Sequence, residues 1–177
     1  MQRWRRFFRH HWLDERDSRR ALAPAAARRL AERIAASERR HGGEIRICVE
    51  AALPAGMIWP PPAEAAMPGL LRRRALEWFG RLGVWDTRHN NGVLVYLLLA
   101  ERAIEIVADR GLTRAVPQDV WPMLVSQMRG AFREGRFEDG LQHAVDEVSL
   151  LLVRHFPLPE DRQRSNELPD APLIGED

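Results

Sequence analysis

The chain of 177 residues carries a single cysteine, a single tyrosine and no lysine. The lone Cys48 excludes an internal disulfide and any zinc site built on several thiolates. It falls in a strand-like stretch and reads as a small hydrophobe of the core. Long apolar runs are missing as well. The unbroken stretch Val93 to Leu99 is far shorter than the ~20 residues that span a bilayer. The basic start, MQRWRRFFRHHWLDERDSRR, never reaches the apolar run of ~7–15 residues that a secretory leader needs. The expected location is therefore the cytoplasm, with peripheral contact to the inner membrane as an option. No GxGxxG, Walker loop or CxxC pair occurs, and no internal repeat stands out.

What is present is arginine. All 27 basic residues are Arg, set against 25 acids, for a net charge of +2. That near balance argues against a nucleic-acid binder. The run Arg72-Arg73-Arg74 beside Trp78 reads as the solvated face of a helix. His10, His11, His41, His143 and His155 are too scattered for a transition-metal site. The length is that of one domain with a tail or two.

Charge and pattern divide the chain into three parts. Residues 1–20 hold seven Arg against three acids, with Trp4, Phe8 and Trp12 four residues apart. On a helix these aromatics form one stripe beside an Arg-rich face. Such a stripe suits an anionic membrane or a membrane protein, and it equally suits packing on the domain. Residues 21–156 hold the periodic segments. Residues 157–177 carry six acids, two Arg and four prolines, and the expectation there is a disordered acidic tail.

Within 21–156 the period alternates between 3.6 and 2. Pro24 opens a helix with Leu30 and Ile34 inward. In EIRICVE, Ile45, Ile47 and Val49 alternate with Arg46, Cys48 and Glu50. The Pro-rich stretch 51–69 reads as a loop whose Met57, Ile58 and Trp59 could dock a partner. A helix through Leu71, Ala75 and Trp78 precedes the apolar run, which a short AER turn joins to a strand at Ala103 to Asp109. Helices from Pro117 and Phe137 complete the order, Trp121 and the methionines being core.

This order predicts an α/β fold: a three-layer α/β/α sandwich around a small mixed sheet of about four strands. The first two strands should be parallel, joined by a helix, and the third antiparallel to the second. Asn90 and Asn91 at the second strand's entrance then meet Asp109 at the third strand's exit. Asp86 belongs to the loop entering that rim and Asp119 to the helix leaving it. Such an oxygen-rich rim suits calcium or magnesium. Asn-Gly and Asp-Thr are also ordinary turn chemistry, and Arg88 and Arg110 would repel a cation, pair with these acids or hold an anion.

The segments WFGRLGVWDT, NNGVLVYLLLAERAIEIVADRGL and MRGAFREGRFEDGLQHAVDEV, in that order, resemble the TPM domain over residues 20–155. The resemblance implies the same sandwich, and for some members divalent-metal binding, acid phosphatase activity and work beside membrane proteins. This chain departs from the family pattern at two places. The family's Asp-Asn-Gly is Asn90-Asn91-Gly92 here, and its Val-Gly-Tyr-Gly-Leu-Glu is Ala108-Asp109-Arg110-Gly111-Leu112-Thr113. Two functions follow as expectations. One is a non-catalytic binding module acting with a membrane-associated partner. The other is a metal-assisted acid phosphatase with Asp86, Asn91 and Asp109 as ligands, Arg88 or Arg110 on the phosphate and His89 as the nearest acid or base.

Overall fold

In the computed structural model, residues 2–158 and 166–175 are described. Helices α1 (Gln2–Trp12), α2 (Glu15–Ala21) and α3 (Pro24–Glu38) lead into strand β1 (Glu44–Glu50). A short α4 (Ala55–Ile58) and α5 (Met67–Arg81) precede β2 (Gly92–Leu98) and β3 (Ala103–Ala108). Helices α6 (Arg110–Ala115), α7 (Val120–Arg133) and α8 (Phe137–His155) follow, then β4 (Leu173–Ile174).

The sheet runs in the order β3-β2-β1-β4. β1 and β2 are parallel and in register from Glu44↔Gly92 to Glu50↔Leu98, while β3 returns antiparallel with Val93 opposite Ala108. Apolar side chains leave both faces of this sheet. Ile45, Ile47, Val93, Val95 and Ile106 meet α3, α7 and α8 on one side. Cys48, Leu94, Leu98 and Val107 meet α5 and the segment before it on the other. The α/β/α sandwich is thus borne out, and the unbroken apolar run is the strand covered from both sides.

Three expectations fail in detail. The tail expected to be disordered is ordered over 166–175, where β4 pairs in parallel with β1 through Cys48↔Leu173 and Val49↔Ile174. The Arg46 guanidinium donates to the carbonyls of Pro169 and Ala171, and the buried Glu44 carboxylate accepts from the N–H groups of Glu167 and Leu168. Composition favoured disorder, but two buried charges on β1 need partners and this segment supplies them. The rest of that expectation, 159–165 and 176–177, lies outside the described residues. The stretch 51–69 is not all loop: it forms α4 and buries Ile58 at 3% exposure, leaving Trp59 outside. Nor is the Arg72–Arg74 run one solvated face, because Arg74 is buried beneath α5 while Arg72 and Arg73 are exposed.

All seven residues of β1 are buried, its charged face included. Glu50 lies at the centre of a closed polar group under α5. It accepts from Arg74 Nε at 3.0 Å, Arg74 Nη2 at 2.5 Å, Trp78 Nε1 at 3.2 Å and Tyr96 Oη at 2.5 Å. Burial works to lower the Arg74 pKa, but the hydrogen bonds and charge of Glu50 outweigh it and hold it above its ordinary value. Burial, then the Glu50 charge, pushes the Tyr96 phenol up, so it stays a donor.

Candidate functional site

The hairpin brings the second strand's entrance and the third strand's exit to one rim. The Asp109 N–H donates to the Gly92 carbonyl at 2.9 Å and the Gly111 N–H to the Asn90 carbonyl at 2.8 Å. Arg110 Nε donates to Asn90 Oδ1 at 2.8 Å. Asp109 caps α6, its Oδ1 accepting from the Arg110 N–H at 2.6 Å. Four of the residues expected here, Asn90, Asn91, Asp109 and Arg110, are therefore neighbours in the fold.

Much of the polarity at this rim is explained by the backbone it shapes. Asn90 has φ 51°, a left-handed conformation that Asn tolerates better than most residues. Asn91 is fully buried and ties the two parallel strands at their entrance. Its N–H donates to Thr87 Oγ1 and its Nδ2 to the Gly42 carbonyl, both at 3.0 Å. Gly92 is required because a Cβ there would collide with the Val84 carbonyl.

The side chains of the other expected residues form no hydrogen bond with this cluster among the described residues, although the His89 carbonyl lies against Gly111. Asp86 is exposed, its N–H in a turn to the Gly83 carbonyl. Asp119 is exposed at the start of α7 with no capping hydrogen bond from its side chain. Arg88 is exposed, and its N–H donates to Glu167 Oε2. His89 is exposed.

Whether a divalent cation fits can be judged from the donors. Asn91 Oδ1 and Asp109 Oδ2 are buried oxygens without a partner among the described residues, and they favour one. Against it, Asn90 Oδ1 is taken by a guanidinium, and Asp86 and Asp119 make no side-chain bond to the cluster. No group of three or more His, Cys, Asp or Glu able to hold a metal occurs among the described residues. Hard cations take about six oxygens or more, and Mg²⁺ keeps several as water. One carboxylate and one amide oxygen beside a fixed positive charge do not build that shell, and the residues present do not support a metal-assisted step.

Two features went unseen in the sequence. The first is the seat of α1. His10 is 4% exposed; its Nδ1 accepts from the Leu53 N–H and its Nε2 lies 3.0 Å from Glu101 Oε1, which also pairs with Arg6. Burial alone would raise the Glu101 pKa, but the His10 hydrogen bond and the Arg6 and Arg9 charges hold it below the usual carboxylate value. The second is a cleft of about 400 Å³ beside β3, lined by Arg72, Thr113, Gln118, Trp121 and Arg129 among others. Trp121, expected in the core, packs against it half-buried and also lines this cleft.

An α/β/α sandwich with a parallel central pair, a returning hairpin and one open edge defines the class. Within that class the chain belongs to the TPM domain family, whose model matches residues 16–150. Among solved structures it is similar to protein BA42 of the psychrophilic bacterium Bizionia argentinensis. Identity is 24% with a TM-score of 0.70, covering 87% of this chain and 95% of that one. It is also similar to the N-terminal domain of a P. gingivalis protein, at 21% identity and a TM-score of 0.58, covering 78% and 83%. At these identities the likeness establishes the fold. No curated protein matches the chain.

Proposed function

We propose that this TPM domain is a non-catalytic binding module that works at an anionic membrane surface, where its membrane-associated partner sits. The carrying observation is the outer face of α1. Trp4 and Phe8 are each 52% exposed and Trp12 is 80% exposed. Trp59, 60% exposed, stands against Trp4 with ring centroids 6.2 Å apart and extends the aromatic face. Exposed large aromatics gathered in one patch are uncommon on a soluble domain and mark contact surfaces. Arg9 on the same helix and Arg16, Arg19 and Arg20 on α2 are exposed as well.

The inner face of the same helix explains why the stripe stays outward. Phe7 packs on Trp59 at 5.5 Å and stacks with His11, and His10 is held by Leu53 and Glu101. Rings sink to the headgroup level while Arg meets lipid phosphate, the pairing that interfacial helices use. No helix of the described residues is long and apolar enough to cross a membrane, so the contact would be peripheral. The candidate rim supports binding over catalysis, because Asp109 caps a helix and Asn90 holds Arg110.

The test is co-sedimentation of the full chain with phosphatidylserine-containing and pure phosphatidylcholine vesicles. Binding is expected on the anionic vesicles and at least tenfold weaker for the triple variant Trp4→Ala, Phe8→Ala, Trp12→Ala. Equal sedimentation of the variant and the wild type would end the proposal.

A further inference from the structure

The sheet has two edges, and they are treated differently. At one, β4 and the rest of 166–175 lie along β1. At the other, β3 is the outermost strand of the sheet. Its outward groups follow from the register. The Asp109 N–H points to Gly92, so alternate residues Val107, Glu105 and Ala103 exchange bonds with β2. The N–H and C=O groups of Ile104, Ile106 and Ala108 therefore face away from the sheet. The Ile106 carbonyl confirms it: it accepts from Arg72 Nη1 at 2.8 Å.

This edge lies at the floor of a groove. The 400 Å³ cleft runs past Ile106 and Ala108, and a second one of about 290 Å³ runs past Ala103 and Ile104. Helix α5 forms one wall and α7 the other, and Val125 and Arg129 line both clefts. Six strand residues give the groove a length of ~20 Å. Its charge is one-sided once internal pairs are discounted. Glu105 is paired with Arg72 at 2.8 Å and Glu101 with Arg6 and His10. Arg129 and Arg133 are exposed on α7, and their side chains form no ion pair among the described residues, leaving Glu64 as the opposing acid on the wall. Trp121 Nε1, in the same wall, is a buried donor without a partner among the described residues.

We propose that this groove binds an extended acidic peptide segment as a fifth strand on β3. Its backbone would pair with Ile104, Ile106 and Ala108, and its carboxylates would meet Arg129 and Arg133, the mode by which an edge strand without a neighbour recruits one. Arg72 occupies one edge acceptor in the free protein. It gives up the Ile106 carbonyl to the arriving strand and keeps its ion pair with Glu105. The opposite edge already carries a segment with acids in it: 166–175 contains Glu167 and Asp170, pairs with β1 through Leu173 and Ile174, and is seated through its carbonyls by Arg46. This inference goes beyond the membrane proposal and does not rest on it.

The experiment is fluorescence anisotropy of a dye-labelled peptide of about ten alternating glutamate and valine residues against the full chain, without vesicles. Saturable binding is expected, at least tenfold weaker for the lysine–valine counterpart and at least tenfold weaker for the surface variant Arg129→Glu/Arg133→Glu. The complex should weaken as salt rises. Amide hydrogen exchange should show new protection at Ile104, Ile106 and Ala108. The variant Ala108→Pro removes one outward N–H at an edge position and should lose binding with its circular dichroism intact. Equal binding of the lysine peptide, unchanged binding by the Arg129/Arg133 variant, or protection confined to residues 2–12 would overturn the proposal.

Discussion

Replacing Glu50 by alanine is the sharpest probe of how this fold is held. Glu50 is 2% exposed and its carboxylate receives Arg74, Trp78 and Tyr96 at once. The substitution removes the buried carboxylate that faces the Arg74 guanidinium, whose side chain is 4% exposed. Arg74 also pairs with Glu77 at 3.0 Å, on a side chain 42% exposed, which screens the charge less well than a buried carboxylate does. It also deprives the Trp78 N–H and the Tyr96 hydroxyl of their acceptor. Breaking a buried pair from one side costs about 3–5 kcal/mol, which for a domain of this size is a fall in Tm of roughly 6–20 °C. Urea unfolding followed by far-ultraviolet circular dichroism measures it, with two controls. Glu77→Ala, removing the exposed partner, should cost under ~1 kcal/mol. The double variant Glu50→Leu/Arg74→Met should lose less than Glu50→Ala, because no uncompensated charge is left inside. A Glu50→Ala protein within ~1 kcal/mol of the wild type would refute the argument, since a carboxylate in water could be removed at that small a cost.

Two further outcomes follow from particular contacts. The Glu101 carboxyl is held below its usual pKa in the folded chain, so the stability it contributes is complete above its unfolded value of about 4.3 and is lost as pH falls through the lower folded value. Helix α1 should therefore loosen first on acidification below about pH 4. The Phe7–Trp59 contact should report this as a fluorescence change that Glu101→Gln shifts or removes. Gly92→Ala should destabilise by about 1–3 kcal/mol because its Cβ meets the Val84 carbonyl, whereas Gly80→Ala, with open space on an α5 helix position, should be neutral or stabilising by up to ~1 kcal/mol. Parallel thermal melts compare the two, and equal effects would contradict the stated close approach.

The pattern of apolar residues decided the sandwich before any coordinate. Val93 to Leu98 without a polar break, bounded by turn residues, reads as a strand buried on both faces, and Leu30/Ile34 or Leu141/Val145/Val148 at helical spacing read as helix faces turned to it. The meeting of the stretch near Asn90 with the one at Asp109 was legible too, since a short AER turn forces the chain back on itself; the bond from Arg110 to Asn90 was not. The polar residues were harder to place, because composition does not say what lies opposite a side chain in space. Glu44, Arg46 and Glu50 alternate with apolar residues like the wet face of a half-buried strand, yet all three are buried. Their partners, Glu167 to Ala171 and Arg74, come from 123 to 125 and from 24 positions away in sequence. His10 and Glu101, 91 residues apart, were invisible to spacing for the same reason.

Local sequence alone settled the long helices α3, α5, α7 and α8 and the strands β1 to β3, because backbone period and side-chain burial share one geometry within a few turns of chain. Only the tertiary structure decided which charges are buried, which edge of the sheet is covered and which aromatic face is left outside. Those outcomes depend on what distant segments bring to the same place, and a charge enters the interior only when such a partner arrives with it.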